Sequence, residues 1–373
     1  MEKVVIIGAS SAGLACAARL KKSGIPFRLL ERQAVVANAW RNHYDRLHLH
    51  TNKGNSELPF MKYPADVAKY PPKKEVIRSF EKYVEELGLE PEFNTGVSRL
   101  SKDGESWLIE TNKGLIHSEK VIVCTGNTNK PRRINKPGME SFPGKIIHSS
   151  QYKNGKEFEG QNVLVIGFGN SACEIAIDLH EHGARPALSV RSAVNVIPRD
   201  IFGIPVLAIG IVQGGLPPRL TDTLNKPLLR WLVGDIEKYG LKKLPYGPRE
   251  QIIKYNRIPL LDIGTMDLIK KGAIKVYGDI TEITSKEIHF EDDKEDEFDA
   301  IIMATGYTNG LEEWIDHDHG QEKDIYKAAS KREFLGKDGL YFCGYYVSPT
   351  GMIREVNIES KVICKDILNL LKK

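Results

Sequence analysis

Val4-Val5-Ile6-Ile7-Gly8-Ala9-Ser10-Ser11-Ala12-Gly13 opens the chain with an apolar strand that runs into a turn of small residues. Such a turn lets the backbone come close to a phosphate, and the helix that follows aims its N-terminal N–H groups at it. The pattern returns about 160 residues later as Val163-Leu164-Val165-Ile166-Gly167-Phe168-Gly169-Asn170-Ser171-Ala172. The two copies end differently. The first unit's second strand ends at Glu31, 18 residues past Gly13; the second unit's runs into Arg191-Ser192, 19 residues past Ala172. An acid at this point accepts hydrogen bonds from ribose hydroxyls, whereas a basic residue accommodates a 2′-phosphate. Together they predict two different dinucleotides on one chain, and electron traffic from one to the other.

Ser10 stands where the first turn's middle glycine belongs. Serine is small, and its hydroxyl is itself able to bond a phosphate. A chain of 373 residues exceeds the size at which one core stops growing, so two domains are expected. The expected class is α/β, with two Rossmann-like dinucleotide-binding domains, one inserted into the other. The net charge of +4, spread through mixed signs, is too small to argue for nucleic acid or an anionic membrane surface as a partner. Met1-Glu2-Lys3 leads straight into a strand without the apolar region of a signal peptide. The apolar run Ile201 to Val212 is 12 residues, too short to span a bilayer. The expectation is a cytoplasmic protein with no transmembrane segment.

The five cysteines (Cys16, Cys124, Cys173, Cys343 and Cys364) form no C-x-x-C, which predicts neither a disulfide framework nor a metal site. Flavoprotein disulfide reductases pass electrons to such a pair. Asn94 to Val123 alternates as an antiparallel layer with turns at Lys102-Asp103-Gly104 and Asn112-Lys113-Gly114. It closes on Thr125-Gly126, and Ala300 to Met303 closes alike on Thr305-Gly306. These endings mark the domain crossings and predict close approach to a dinucleotide at Gly126, Thr305 and Gly306. The acidic run Glu291 to Glu297 reads as a solvated turn, and Ile358 to Lys373 as an amphipathic helix.

Phe142-Pro143-Gly144-Lys145-Ile146-Ile147-His148-Ser149-Ser150-Gln151-Tyr152 matches the F-x-G-x-x-x-H-x-x-x-[FWY] signature of flavin-containing monooxygenases, and lies between the two fingerprints as it does there. Tyr44-Asp45-Arg46-Leu47-His48-Leu49-His50, Glu57-Leu58-Pro59, Pro198-Arg199, Pro259 to Thr265, Ile269 to Val276 and Gly339-Leu340-Tyr341 resemble the plant YUCCA-type branch, whose members oxidatively decarboxylate indole-3-pyruvate.

The resemblance implies FAD at Gly8, Ser10, Gly13 and Glu31, with Arg32, Trp40, Arg41 and His50 packed beside it. NADPH would lie at Gly167, Gly169, Asn170, Ser171 and Ala172, its 2′-phosphate on Arg191 and Ser192, with His148 and Tyr152 in the cofactor-binding set. Gly344 and the helix starting near Gly351 resemble the second FAD contact, where a helix N-terminus stabilises negative charge on reduced flavin. The implied order is an FAD domain over 1–130 and 307–373, with an NADPH domain over 131–306 that carries a helical insertion at about 201–250. The implied reaction forms a C4a-hydroperoxyflavin that transfers one oxygen atom of O₂ to an amine, a sulfide, a carbonyl or a keto acid. An NADPH oxidase or reductase passing electrons to O₂ or a small acceptor is the alternative; a nucleotide-sensing module is the third, disfavoured by two dinucleotide sites. Asn52 and Lys53 are the candidate catalytic side chains, and the sequence leaves open which faces the flavin. His48 and His50 are expected on one face of a strand. Residues 201–241 read as a substrate-access lid, a homodimer contact, a bilayer-edge surface or an ordinary packed insertion.

Overall fold

Short β-branched runs become strands buried on both faces, and the computed structural model arranges them in two units over its described residues, 1–316 and 335–371. One unit comprises Met1–Arg41, Thr51–Lys130 and Tyr307–Lys373; the other comprises Asn42–His50 and Pro131–Gly306.

In the first unit β1 (Glu2–Ile7) leads into α1 (Ser11–Lys22) and β2 (Arg28–Leu30). The amphipathic helix α2 (Lys73–Glu86) buries Val76, Phe80 and Tyr83, spaced as one helical face requires. It is followed by β3 (Pro91–Glu92), β4 (Val97–Asp103), β5 (Ser106–Thr111) and β6 (Gly114–Val123). The sheet runs β3-β2-β1-β6-β5-β4. Its first four strands are parallel, while β4, β5 and β6 form the antiparallel layer expected from the alternation. The strand Leu340–Phe342 joins in parallel beside β6, Phe342 opposite Val123. The C-terminal helix Met352–Leu371 starts where a helix is expected, near Gly351, and runs on through the amphipathic stretch from Ile358; Lys372 and Lys373 lie outside the described residues. Arg19 of α1 ties the two helices by donating to the Asn357 side chain at 2.6 Å and to Ser360 Oγ at 3.0 Å.

The second unit holds β7 (Lys145–His148), β8 (Asn162–Ile166), α3 (Asn170–Glu181) and β9 (Arg185–Ser189). Then come α4 (Val206–Val212), α5 (Pro218–Val233) and α6 (Pro248–Tyr255), before β10 (Lys275–Tyr277) and β11 (Ala300–Met303). Its parallel sheet runs β10-β9-β8-β11-β7. Both turns thus leave a central strand whose neighbours are parallel, the place where an open α/β sheet binds ligands.

Three details differ from the sequence reading. Residues 42–50 pack with the second unit, because Tyr44 is buried in its core and Arg46 forms a forked ion pair with Glu181 of α3. The insertion opens with a hairpin pairing Asp200–Ile201 with Ile204–Pro205, and its helices run on to Tyr255. The acidic run is partly strand: Glu295–Glu297 pairs with Glu287–His289, and Asp296 accepts from Lys275 Nζ at 2.7 Å.

Candidate functional site

The first turn is built by close approach. Gly8 holds a φ of +105°, and a Cβ there would lie 2.8 Å from the Cys124 carbonyl oxygen. A Cβ on Gly13 would lie 1.7 Å from the Gly8 carbonyl oxygen, so only glycine lets α1 seat against the strand end. Ser10 is the extended N-cap residue; its hydroxyl makes no capping bond, and no acid occupies the first turn of α1. The free N–H groups and a spare hydroxyl make this helix end a cradle for an anion. Serine therefore suits the position it takes from glycine.

Glu31 is buried, and its carboxylate accepts from the Ala9 N–H at 2.8 Å and the Gln33 N–H at 2.9 Å. A carboxylate offers about four lone-pair sites, which leaves two for sugar hydroxyls. Arg32 is exposed and donates to Asn129 Oδ1 at 3.1 Å, while Trp40 packs edge-on against Phe80. Gly126 has a φ of +73° and open space where a Cβ would stand. Thr125 beside it shares a 2.7 Å hydroxyl bond with the buried Tyr345. The Gly344 N–H donates to the Glu359 carboxylate at 2.7 Å, and a Cβ on Gly351 would press 2.6 Å from Thr51 Cγ2. Glu359 and Tyr345 carried no sequence signal, since their partners lie on other elements.

The structure separates the two catalytic candidates. Lys53 Nζ donates to three backbone carbonyls, of Pro64, Ala65 and Val67, at 3.1, 2.9 and 2.8 Å. An ammonium has three protons, so all are spent on the loop and Lys53 is a structural pin. Asn52 caps the next turn, its Oδ1 accepting from the Asn55 N–H at 3.0 Å.

The second turn repeats the first with a wider opening. Gly167 has a φ of +127°, and a Cβ there would meet the Ala304 carbonyl oxygen at 2.7 Å. Gly169 is the N-cap of α3, with an ordinary φ of −88° and nothing within 4 Å of an added Cβ. That emptiness above an acid-free helix start fits a pyrophosphate. Asn170 points elsewhere, accepting from the Leu261 N–H at 2.9 Å, and Ala172 is buried. Ser171 is half-buried on the helix's first turn. Arg191 and Ser192 are exposed just beyond β9, and the Arg191 guanidinium has neither ion pair nor hydrogen bond among the described residues. An uncommitted cation at this corner fits a 2′-phosphate.

Two signature residues and one flanking histidine take different roles from those expected. His148 is fully buried, so it reaches a cofactor only through what it holds: Nδ1 accepts from the Ser150 N–H at 3.1 Å, and Nε2 bonds the Gly306 carbonyl at 3.1 Å. Burial holds its pKa below 6.5 against the opposing pull of that carbonyl. Tyr152 is also fully buried; its hydroxyl donates to Asp178 Oδ2 at 2.6 Å and its ring stacks on Phe158, a strut under α3 rather than a cofactor contact. Desolvation and the Asp178 carboxylate push its pKa up. His50 lies outside any extended strand, in the second unit, with Nε2 2.5 Å from Glu174 of α3. Thr305 donates to the Arg132 carbonyl, and Gly306 takes a φ of +82°.

The thiols are less scattered than their positions suggest. The Cys343 N–H bonds the Val123 carbonyl at 3.0 Å, which continues the ladder and sets Cys343 beside Cys124. The interaction of Cys16 with these two thiols holds it below the ordinary thiol range, while burial and the neighbouring thiols push Cys124 and Cys343 above it. Their exposures of 1%, 4% and 0% present no sulfur to an incoming disulfide.

A family model described as pyridine nucleotide-disulphide oxidoreductase matches residues 5–198. The indole-3-pyruvate monooxygenase YUCCA1 of Oryza sativa subsp. japonica is 37% identical over 349 residues, covering 91% of this chain and 86% of that protein. The probable indole-3-pyruvate monooxygenase YUCCA3 of Arabidopsis thaliana is 34% identical over 383 residues, 99% of this chain and 87% of that one. Among solved structures, a flavin-containing monooxygenase from Stenotrophomonas maltophilia shares the fold with a TM-score of 0.73 at 21% identity, over 100% of both chains. Identity at the level of the two plant enzymes, over nearly the whole length, decides the matter: this chain belongs to the flavin-containing monooxygenase family and is an enzyme of its FAD- and NADPH-dependent kind.

Proposed function

We propose that this enzyme is an NADPH-dependent monooxygenase of 2-oxo acids, with indole-3-pyruvate as the reference substrate. The observation that carries the reading is the 37% identity to an indole-3-pyruvate monooxygenase across 91% of the chain. In this reading the first unit takes FAD and the second takes NADPH. Bound FAD supplies the relay that passes electrons from NADPH to O₂.

The protein's part is binding, orientation and electrostatics. The N-terminus of α1 and the Ser10 hydroxyl hold the FAD pyrophosphate, and Glu31, already fixed by two backbone N–H groups, receives the ribose. The N-terminus of α3 holds the NADPH pyrophosphate over Gly169, and Arg191 neutralises the 2′-phosphate. His148 positions the Gly306 carbonyl rather than moving a proton. Of the two candidate polar side chains at the loop after His50, Asn52 is the one left to serve the reaction.

The balanced reaction is R–CO–COOH + O₂ + NADPH + H⁺ → R–COOH + CO₂ + H₂O + NADP⁺. Its test follows NADPH consumption, product and H₂O₂ together, with indole-3-pyruvate, an amine and a sulfide supplied in turn. One indole-3-acetate per NADPH, with little peroxide, supports the proposal. Stoichiometric H₂O₂ with every substrate would identify an oxidase instead, and coupling only to the amine or sulfide would move the substrate class.

A further inference from the structure

The second unit carries an apolar surface that its own core does not cover. On α5, Leu220, Leu224, Leu228 and Trp231 are 47%, 60%, 36% and 71% exposed. Their spacing of four, four and three places them on one face of the helix. Leu216 precedes them, and Val212 at the end of α4 is 87% exposed. Phe202 at the neighbouring hairpin tip is 75% exposed and lies 6.3 Å, ring to ring, from Trp231. Phe202 also holds a φ of +50°. A bulky residue in the left-handed region is strained, so the chain accepts a backbone cost in placing this ring in solvent.

The charge around the strip is one-sided. Between residues 219 and 257, eight exposed lysines and arginines face two exposed acids, Asp235 and Glu237. Arg219 and Lys254 pair with Glu250; Lys226 and Arg230 on α5 have no acidic partner among the described residues. The only acid on α5, Asp222, is spent on the backbone N–H groups of Arg249 and Glu250, both at 2.9 Å.

We infer that this strip is a docking surface for an anionic lipid bilayer, into whose headgroup region α5 and the Phe202 hairpin insert their apolar side chains. An amphipathic helix with an aromatic-rich face and basic flanks binds such an interface by buried apolar area together with attraction to anionic lipid. A second copy of the chain fits less well. A two-fold contact sets a patch against itself, so Arg230 beside the strip would meet its own kind with no carboxylate on α5 to answer it. The bilayer supplies the missing negative charge.

The test uses the FAD-loaded enzyme and two sets of vesicles, phosphatidylcholine alone and phosphatidylcholine mixed with phosphatidylglycerol. The enzyme should sediment with the mixed vesicles only, release at high salt, and show a blue shift of tryptophan emission that Trp231→Gln abolishes. Lys226→Gln with Arg230→Gln should weaken binding about 30-fold, at about 1 kcal/mol for each basic residue near the surface. Leu224→Gln with Trp231→Gln should weaken it at least as much, with FAD content and circular dichroism unchanged. Wild-type enzyme that stays in solution with the mixed vesicles overturns the inference. So does a dimer in sedimentation velocity that the Leu224→Gln, Trp231→Gln variant dissolves, since a second copy would then cover the strip.

Discussion

His148 bonds the carbonyl oxygen of Gly306 through Nε2, 3.1 Å away and 158 positions along the chain, while its Nδ1 accepts from the Ser150 N–H. Only a neutral ring with its proton on Nε2 satisfies both bonds. The ring thereby fixes the loop after β11, whose Ala304 carbonyl lies against the Gly167 turn. The signature histidine works by holding backbone.

That role has a pH consequence. The native ring's pKa lies below its ordinary 6.5, held down by burial. Between the two values the unfolded chain binds the extra proton, so stability rises with pH there. The contribution is complete above about pH 6.5 and fades as pH falls toward the lower native value. His148→Gln, which keeps a donor near Gly306 without titrating, should flatten this slope in thermal melts between mildly acid and neutral pH. His148→Ala should lose about 2–4 kcal/mol by denaturant titration, from two broken buried bonds and a cavity. An unchanged acid limb in the Gln variant would show that another group sets it.

The glycines separate folding from binding. Gly169→Ala meets open space at an ordinary φ, so its unfolding free energy should stay within about 1 kcal/mol of wild type. NADPH binding, measured by calorimetry, should fall at least about tenfold as the methyl group fills the phosphate opening. Gly13→Ala drives a methyl into the Gly8 carbonyl and should leave little folded, FAD-loaded protein. If Gly169→Ala binds NADPH normally, the cofactor does not use that opening.

Arg191 is exposed at the corner after β9 and has no partner among the described residues. Arg191→Ala should raise KM for NADPH about 10- to 100-fold, the worth of a charge-assisted bond to phosphate. KM for NADH should change by no more than about twofold, with melting temperature unaltered. Equal loss for both cofactors would place the 2′-phosphate elsewhere.

Lys53→Met removes three bonds that hold residues 64–67. The expected result is about 1–3 kcal/mol of lost stability, with kcat preserved in the enzyme that remains folded. Asn52→Ala should do the reverse in proportion, lowering kcat or coupling to product more than stability. A collapse of kcat in Lys53→Met with a normal denaturation curve would return that lysine to the reaction.

What the sequence determined by itself is local. Val4 to Gly13 and Val163 to Ala172 carry their strand, turn and helix within ten residues each, because glycine spacing and apolar runs act through neighbouring backbone. The opposite charges at Glu31 and Arg191 were legible for the same reason, since each follows its turn at a distance fixed by one helix and one strand. What the tertiary structure decided lies between distant residues. Lys53 became a pin because three carbonyls from another loop surround it, and His50 met Glu174 because residues 42–50 pack with the second unit. His148 and Tyr152 were found by motif, but their burial could not be, since exposure depends on everything packed around a side chain. A motif names residues that stand together in sequence; whether each one touches a ligand or holds the residue that does is settled only when the chain has closed around it.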